Sequence, residues 1–316
     1  MGFGSRSIFM DLHTSILKTI AYFDLFNYPL TLEDIHRFLD IKADEARICA
    51  ETEMLVREGR LYKLGAYYSL QDNSALALRR LRGEAHADEL LRIAARGARL
   101  LYRFPFVRGV CISGSLSKRC ADEKADIDYF IITSANRIWI ARTLMHIFKK
   151  LTFLLGRQHR FCMNYYVDED ALEIREKNIF TAIELFTLLP MCGDEGLDKF
   201  FRASDWATAY FPGYRDRGRK AQEMQPASFL KRLLERVLSN RLGNKLENKL
   251  RRITDRRWRQ KTEQLRRNMK GDVLTLQCGK HYSRPNPEIF QQKVLTRYHR
   301  RLNEVFSWRD PHFISS

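Results

Sequence analysis

Gly114-Ser115 closes a short apolar run, Val107 to Ser113, and after a ten-residue gap Asp126-Ile127-Asp128 sits inside another, Ala125 to Ile132. Val107, Val110, Cys111 and Ile112 make the first run read as a buried strand, and the glycine stops it. In the second, residues two apart on a strand point to one face, which puts Asp126 and Asp128 about 7 Å apart on the same side. Two like charges in an apolar strand (Ile127, Phe130, Ile131, Ile132) are costly unless a cation neutralises them, and Mg²⁺ is the natural complement. A helix opening at Ser115 would offer free backbone N–H groups and the positive end of its dipole to a phosphate, which glycine lets approach closely. The alternative from these residues alone is a strand end with two solvated aspartates behind a chance Gly-Ser turn.

Gly114-Ser115, the gap, and Asp126-x-Asp128 in an apolar strand together resemble the signature of the DNA polymerase beta superfamily of nucleotidyltransferases, over about residues 95 to 190. The resemblance implies that Asp126 and Asp128 bind two divalent metals, Mg²⁺ or Mn²⁺. It implies that Gly114 and Ser115 hold a nucleoside triphosphate, with ATP the first expectation. An acceptor would then attack the α-phosphorus as pyrophosphate leaves, which is the two-metal logic of in-line displacement.

Members of that superfamily usually carry a third carboxylate on a later strand. Here the candidate strand is Phe161 to Val167, and the matching position is Asn164. Asparagine offers a metal a carbonyl oxygen but no charge and no basicity. The nearest replacements are Asp168, Glu169 and Asp170 past the strand end and Glu184 on a helix expected over Phe180 to Leu189; each also reads as an ordinary solvated carboxylate. Asn164 reads equally as a hydrogen-bonded strand residue.

Ahead of this region, residues 1–75 have the pattern of a winged helix-turn-helix. An apolar-periodic helix runs from about Leu12 to Phe26, Thr31 caps a short second helix, a third spans about Ala43 to Glu58, and Arg60 to Leu70 alternates around Gly65 as a hairpin. Such modules often set the third helix in the major groove of DNA. From Lys42 to Glu58, however, three basic residues face five acidic ones, a poor partner for phosphate. Packing or protein docking is the expectation for this module.

The positive charge lies elsewhere. The chain carries a formal +17, and the stretch from Arg215 to Lys270 holds 19 Lys or Arg against 6 Asp or Glu. Its apolar residues recur every three or four positions, so helices are expected rather than a disordered tail. Such a field attracts RNA, DNA, an anionic acceptor or an acidic membrane surface alike. Trp258 is the one aromatic from Arg251 to Arg267, which gives no base-stacking platform. Solvated helix faces are the plain alternative.

Ile138 to Leu155 predicts an amphipathic helix over the Asp126 strand, with Ile140, Leu144, Ile147, Leu151 and Leu154 inward and Arg142, His146, Lys149 and Lys150 sharing a face that is solvated or meets a triphosphate or an acidic acceptor. These charges are too many for a bilayer core, and the polar, glycine-containing start predicts no secretory leader. The six scattered cysteines show no zinc spacing and read as buried thiols in a reducing cytoplasm. Asp272 to Cys278 alternates weakly like a strand, and Gly279 to Pro287 reads as a loop whose Lys280, His281 and Arg284 could reach phosphates or serve as an ordinary connection, before a last helix over Pro287 to Val305.

The expected architecture is α+β: a winged-helix-like module over 1–75, a small mixed-sheet nucleotidyltransferase domain with its leading helix over 76–192, and a basic helical region over 193–316. The expected function is Mg²⁺-dependent transfer of a nucleoside monophosphate to an acceptor that is a small molecule, a protein or an RNA. Two other classes stay open: a catalytically impaired nucleotide-binding scaffold, and a nucleic-acid-binding regulator acting through Arg215 to Lys270.

Overall fold

A computed structural model describes residues 3–122, 125–153, 161–193, 195–213, 228–267, 276–284 and 287–307. The chain is α+β. It opens with α1 (Phe3–Asp24), α2 (Leu32–Arg37) and α3 (Glu45–Arg57), followed by a hairpin of β1 (Tyr62–Leu64) and β2 (Tyr67–Ser69). Local chemistry sets these boundaries. Thr31 accepts from the Asp34 N–H while the Asp34 side chain accepts from the Thr31 N–H, a reciprocal capping box, and Asp44 accepts from the Arg47 N–H to start α3. Leu12, Ile16, Ile20, Ile35, Ile48 and Leu55 recur at helical spacing and are buried together. A bridge between Leu30 and Tyr68 ties the hairpin to the helices.

The 29-residue α4 (Ser74–Tyr102) leads into a six-stranded sheet of order β6-β3-β4-β5-β8-β7. Its strands are β3 (Val107–Ser113), β4 (Asp128–Thr133), β5 (Cys162–Asp168), β6 (Leu189–Gly193), β7 (Gln277–Cys278) and β8 (Tyr282–Arg284). Among the described strands only β4 and β5 pair in parallel, joined across α6 (Ile138–Phe153), so the sheet is mixed. Period-two alternation gives it two buried faces. Val110, Ile112, Tyr129, Ile131 and Tyr166 pack into one cluster with α4 and α6; Cys111, Phe130, Ile132 and Val167 join the core that continues into the N-terminal helices.

The remaining elements are the one-turn α5 (Gly114–Ser117), α7 (Ile179–Thr187), α8 (Glu195–Ala203), a 3₁₀ turn at Asp205–Ala209, α9 (Phe229–Leu238), α10 (Arg241–Glu263) and α11 (Pro287–Ser307). Most of the described basic stretch is helical, in α9 and α10, as its periodicity predicts. It is anchored by three inward charges. Lys231 donates to the carbonyls of Tyr102 and Val107, Glu235 accepts from the Phe106 N–H and Arg108, and Glu247 accepts from the N–H groups of Trp139 and Ile140. Glu247 thus satisfies two free donors at the start of α6, a capping task done from a distant helix. At the far end α11 returns to α1, where Tyr298 meets the Tyr22 ring.

Several local expectations are corrected. The second strand begins at Asp128, not Ala125, so Asp126 stands on the segment leading into it. β5 lies one residue later than expected, and the loop expected over Gly279 to Pro287 contains β8, which pairs with β5. On α6, Arg142 is buried over the rings of Trp139 and Tyr166, while Ile147 and Leu151 are exposed. Ile138, Ala141 and Met145 are buried there, and Ile140 with Leu144 is covered by Leu238, Leu246 and Leu250 of α9 and α10. That cover stops before Ile147, so the apolar stripe is buried over half its length. Leu154 lies outside the described residues. Of the cysteines, all free, only Cys111 and Cys192 are fully buried.

Candidate metal-nucleotide site

β3 and β4 bring the two halves of the motif together because Ser113 and Asp128 are register partners. The chain leaves β3 through Gly114 at φ +72°, a conformation that favours glycine. A Cβ on Gly114 would stand 2.8 Å from Oδ2 of Asp128, so the turn rests directly on the carboxylate. Ser115 follows, exposed. α5 is a single turn, and the helix dipole expected there is correspondingly small. What the turn presents to an anion is its backbone and the Ser115 hydroxyl.

Ile127 is buried, whereas Asp126 and Asp128 on either side are only half-buried, so both aspartates flank an inward-turned residue. Opposite them β5 carries a bulge. Tyr129 pairs with Met163 and Phe130 with Tyr165, which leaves Asn164 as the extra residue. A bulge re-aims side chains, and here Asn164 Nδ2 donates to Asp128 Oδ1 at 2.6 Å while its Oδ1 lies 3.2 Å from Cys162 Sγ. Asn164 therefore stands beside Asp128.

A cavity of about 240 Å³ opens from this point between the sheet, α7 and α11, lined by Asp128, Asn164 and Gly114 at one end. Phe130, Tyr165, Phe180 and Leu185 make most of its wall apolar. Glu184 of α7 also lines it and pairs at 2.8 Å with Lys118, whose Nζ lies 3.2 Å from the Gly114 carbonyl. Deeper in, Arg284 is held by both oxygens of Glu176 at 2.6 Å and by the Tyr165 hydroxyl at 3.1 Å. That hydrogen bonding holds the Glu176 carboxyl below its ordinary range, and the same pair lifts Arg284 higher still.

The other acidic candidates go elsewhere. Asp168 ends β5, six residues from Cys162, the partner of Asp128, a separation of about 20 Å along the strand. Asp168 is buried, and burial raises its carboxyl against the Asn136 N–H and the His281 ring that lower it. Its oxygens lie 3.0 and 3.1 Å from His281 Nδ1, and with Asp170 these groups offer ligand atoms within 4.8 Å of one another. The three residues of the expected loop are divided: His281 Nδ1 meets Asp168, Arg284 reaches the cavity and Lys280 is exposed.

Asp126, Asp128 and the Asn164 carboxamide are hard oxygen donors, a set that suits Mg²⁺ or Mn²⁺. The Asn164 carbonyl would have to turn toward the site to join it. Sequence reasoning missed Lys118, the Glu176–Arg284 pair and the bulge. Lys118 had a usable signal, standing three residues past Ser115; the others depend on distant strands. Compared with protein-family models, curated proteins and solved structures, the chain matches none.

Proposed function

We propose that the chain is a Mg²⁺- or Mn²⁺-dependent nucleotidyltransferase that moves a nucleoside monophosphate from a nucleoside triphosphate, ATP in the first instance, to an acceptor. The observation that carries this reading is the seating of the Gly114 turn on Asp128, which joins a phosphate-docking turn to a metal-binding carboxylate. Asp126 and Asp128 would hold the metal, which when bound neutralises triphosphate charge and polarises the α-phosphate. Gly114 and Ser115 hold the phosphates, and Lys118 beside the turn adds positive charge. The acceptor occupies the cavity beyond Asp128, where both carboxylates are paired, Glu184 with Lys118 and Glu176 with Arg284.

The test is calorimetric binding of ATP with Mg²⁺ to the full chain, together with pyrophosphate release over a pool of acceptors. Asp126→Ala and Asp128→Ala are expected to abolish both while the circular dichroism spectrum is unchanged. Unaltered metal-dependent ATP binding in both variants would sink the proposal. A second reading, nucleotide binding without transfer, is favoured by Asn164 alone; it expects binding that needs Asp128 and no pyrophosphate with any acceptor.

A further inference from the structure

The α9–α10 hairpin sorts its charges by direction. From Ser228 to Leu250 the inward charges are Lys231, Glu235 and Glu247, each engaged with backbone or side chains of the sheet region. The outward ones are Arg232, Arg236, Arg241, Lys245 and Lys249, all exposed and all positive. Both acids of this stretch are consumed inside, so its outer surface carries an unrelieved positive field.

The same surface is apolar to an unusual degree. Phe229, Leu230, Leu233, Val237 and Leu242 are between 43% and 74% exposed. On α9 the spacing from Phe229 of one, four and eight residues gathers them on one stripe, and Arg232 and Arg236 fall on its flank. An apolar stripe edged by arginines, on a helix whose opposite side is already packed, has the design of a helix lying in a membrane interface.

We infer that the α9–α10 hairpin docks on an anionic phospholipid surface, with Phe229, Leu230, Leu233 and Val237 entering the headgroup–acyl boundary and the outward arginines and lysines meeting lipid phosphates and carboxylates. The charges decide among occupants. A second copy of this chain would set the same positive groups against one another. Nucleic acid satisfies the cations but leaves four aliphatic side chains in water, and Phe229 is the one aromatic ring of this face available for base stacking. Only an anionic lipid surface covers both the charge and the apolar stripe.

The experiment is sedimentation of the full chain with vesicles of phosphatidylcholine alone and of phosphatidylcholine mixed with phosphatidylserine, at low and high salt. Binding is expected on the mixed vesicles and not on the neutral ones. The double variant Arg232→Gln with Arg236→Gln is expected to bind about 30-fold more weakly at low salt, from ~1 kcal/mol per basic group at such a surface. Leu233→Ser with Val237→Ser is expected to lose the fraction that survives high salt. These positions are exposed, and circular dichroism verifies that the variants fold. Failure to sediment with mixed vesicles overturns the inference, as does sedimentation that neither variant alters. Retention of labelled RNA without vesicle binding, or a dimer in ultracentrifugation that Leu233→Ser with Val237→Ser dissociates, also overturns it.

Discussion

Asn164 Nδ2 donates to Asp128 Oδ1 over 2.6 Å, so the extra residue of the β5 bulge is a hydrogen-bond partner of the aspartate that opens β4. A neutral donor there stabilises Asp128 without a metal. Asn164→Asp exchanges that donor for a like charge, which repels Asp128 until a cation binds between them. The variant is expected to melt a few degrees lower in chelator and to gain at least about tenfold in Mg²⁺ affinity, since ligand charge sets affinity at such sites. Melting curves with and without Mg²⁺ read both effects. Equal melting temperatures and equal Mg²⁺ response in the two proteins would remove Asn164 from the site.

Gly114→Ala places a methyl group 2.8 Å from Asp128 Oδ2 in a backbone at φ +72°. The left-handed conformation alone costs about 1–2 kcal/mol for a side-chain-bearing residue. Gly65 has φ +68° and nothing within 4 Å, so Gly65→Ala carries the backbone cost without the collision. Urea unfolding should show both variants destabilised, Gly114→Ala the more. Metal-dependent ATP binding should weaken in Gly114→Ala alone.

Burial pushes the Glu247 carboxyl from 4.5 up to about 7, against the two N–H groups of α6 and Arg137 that pull it down. A carboxyl raised on folding binds more protons in the folded state between those two values. Its contribution to stability is therefore complete below pH 4.5 and falls away as pH rises through about 7. At ~1.4 kcal/mol per unit the loss reaches at most about 3 kcal/mol. Glu247→Gln should flatten the decline in urea midpoint from about pH 5 to about pH 8. His146 works in the opposite sense: burial, helped by Arg142 and nearby lysines, takes it from 6.5 down to about 3, so its contribution is lost as pH falls below 6.5.

Arg284 spans β8, β5 and the cavity wall through Glu176 and Tyr165, and it is 8% exposed. Arg284→Met leaves Glu176 without its partner, but that carboxylate is partly open to water, which limits the cost to about 2 kcal/mol. Arg284→Met and Glu176→Leu together should cost less than the sum of the two alone. A double-mutant cycle in urea measures that coupling, and strict additivity would show the pair contributes nothing.

Much of the site was legible because its pieces are local. β3 follows from an apolar run stopped by a glycine, and the cap at Thr31 follows from a residue type three positions ahead of the N–H it accepts, whereas the third helix, expected from about Ala43, is capped by Asp44 and begins at Glu45. Asn164 was reachable because its strand is apolar and short. Its contact with Asp128 was not, since it depends on a bulge that exists only when β5 pairs with β4. The α6 stripe misled for a related reason: periodicity marks which side chains share a face, and only the positions of α9 and α10 decide that Ile140 is covered and Ile147 is not.

The sequence by itself determined the N-terminal order of three helices and a hairpin, the Gly-Ser turn before the two aspartates and the concentration of positive charge past residue 215, since each rests on residue type and spacing over a few turns of chain. The tertiary structure decided the rest. It alone seated Gly114 on Asp128, carried Glu184 to the cavity and Asp168 away from it, and turned Glu235 and Glu247 inward so that the outward charges from Ser228 to Leu250 are all basic. The physical reason is that a carboxylate's role depends on what desolvates or neutralises it, and those partners lie more than a hundred residues away in the chain for both glutamates.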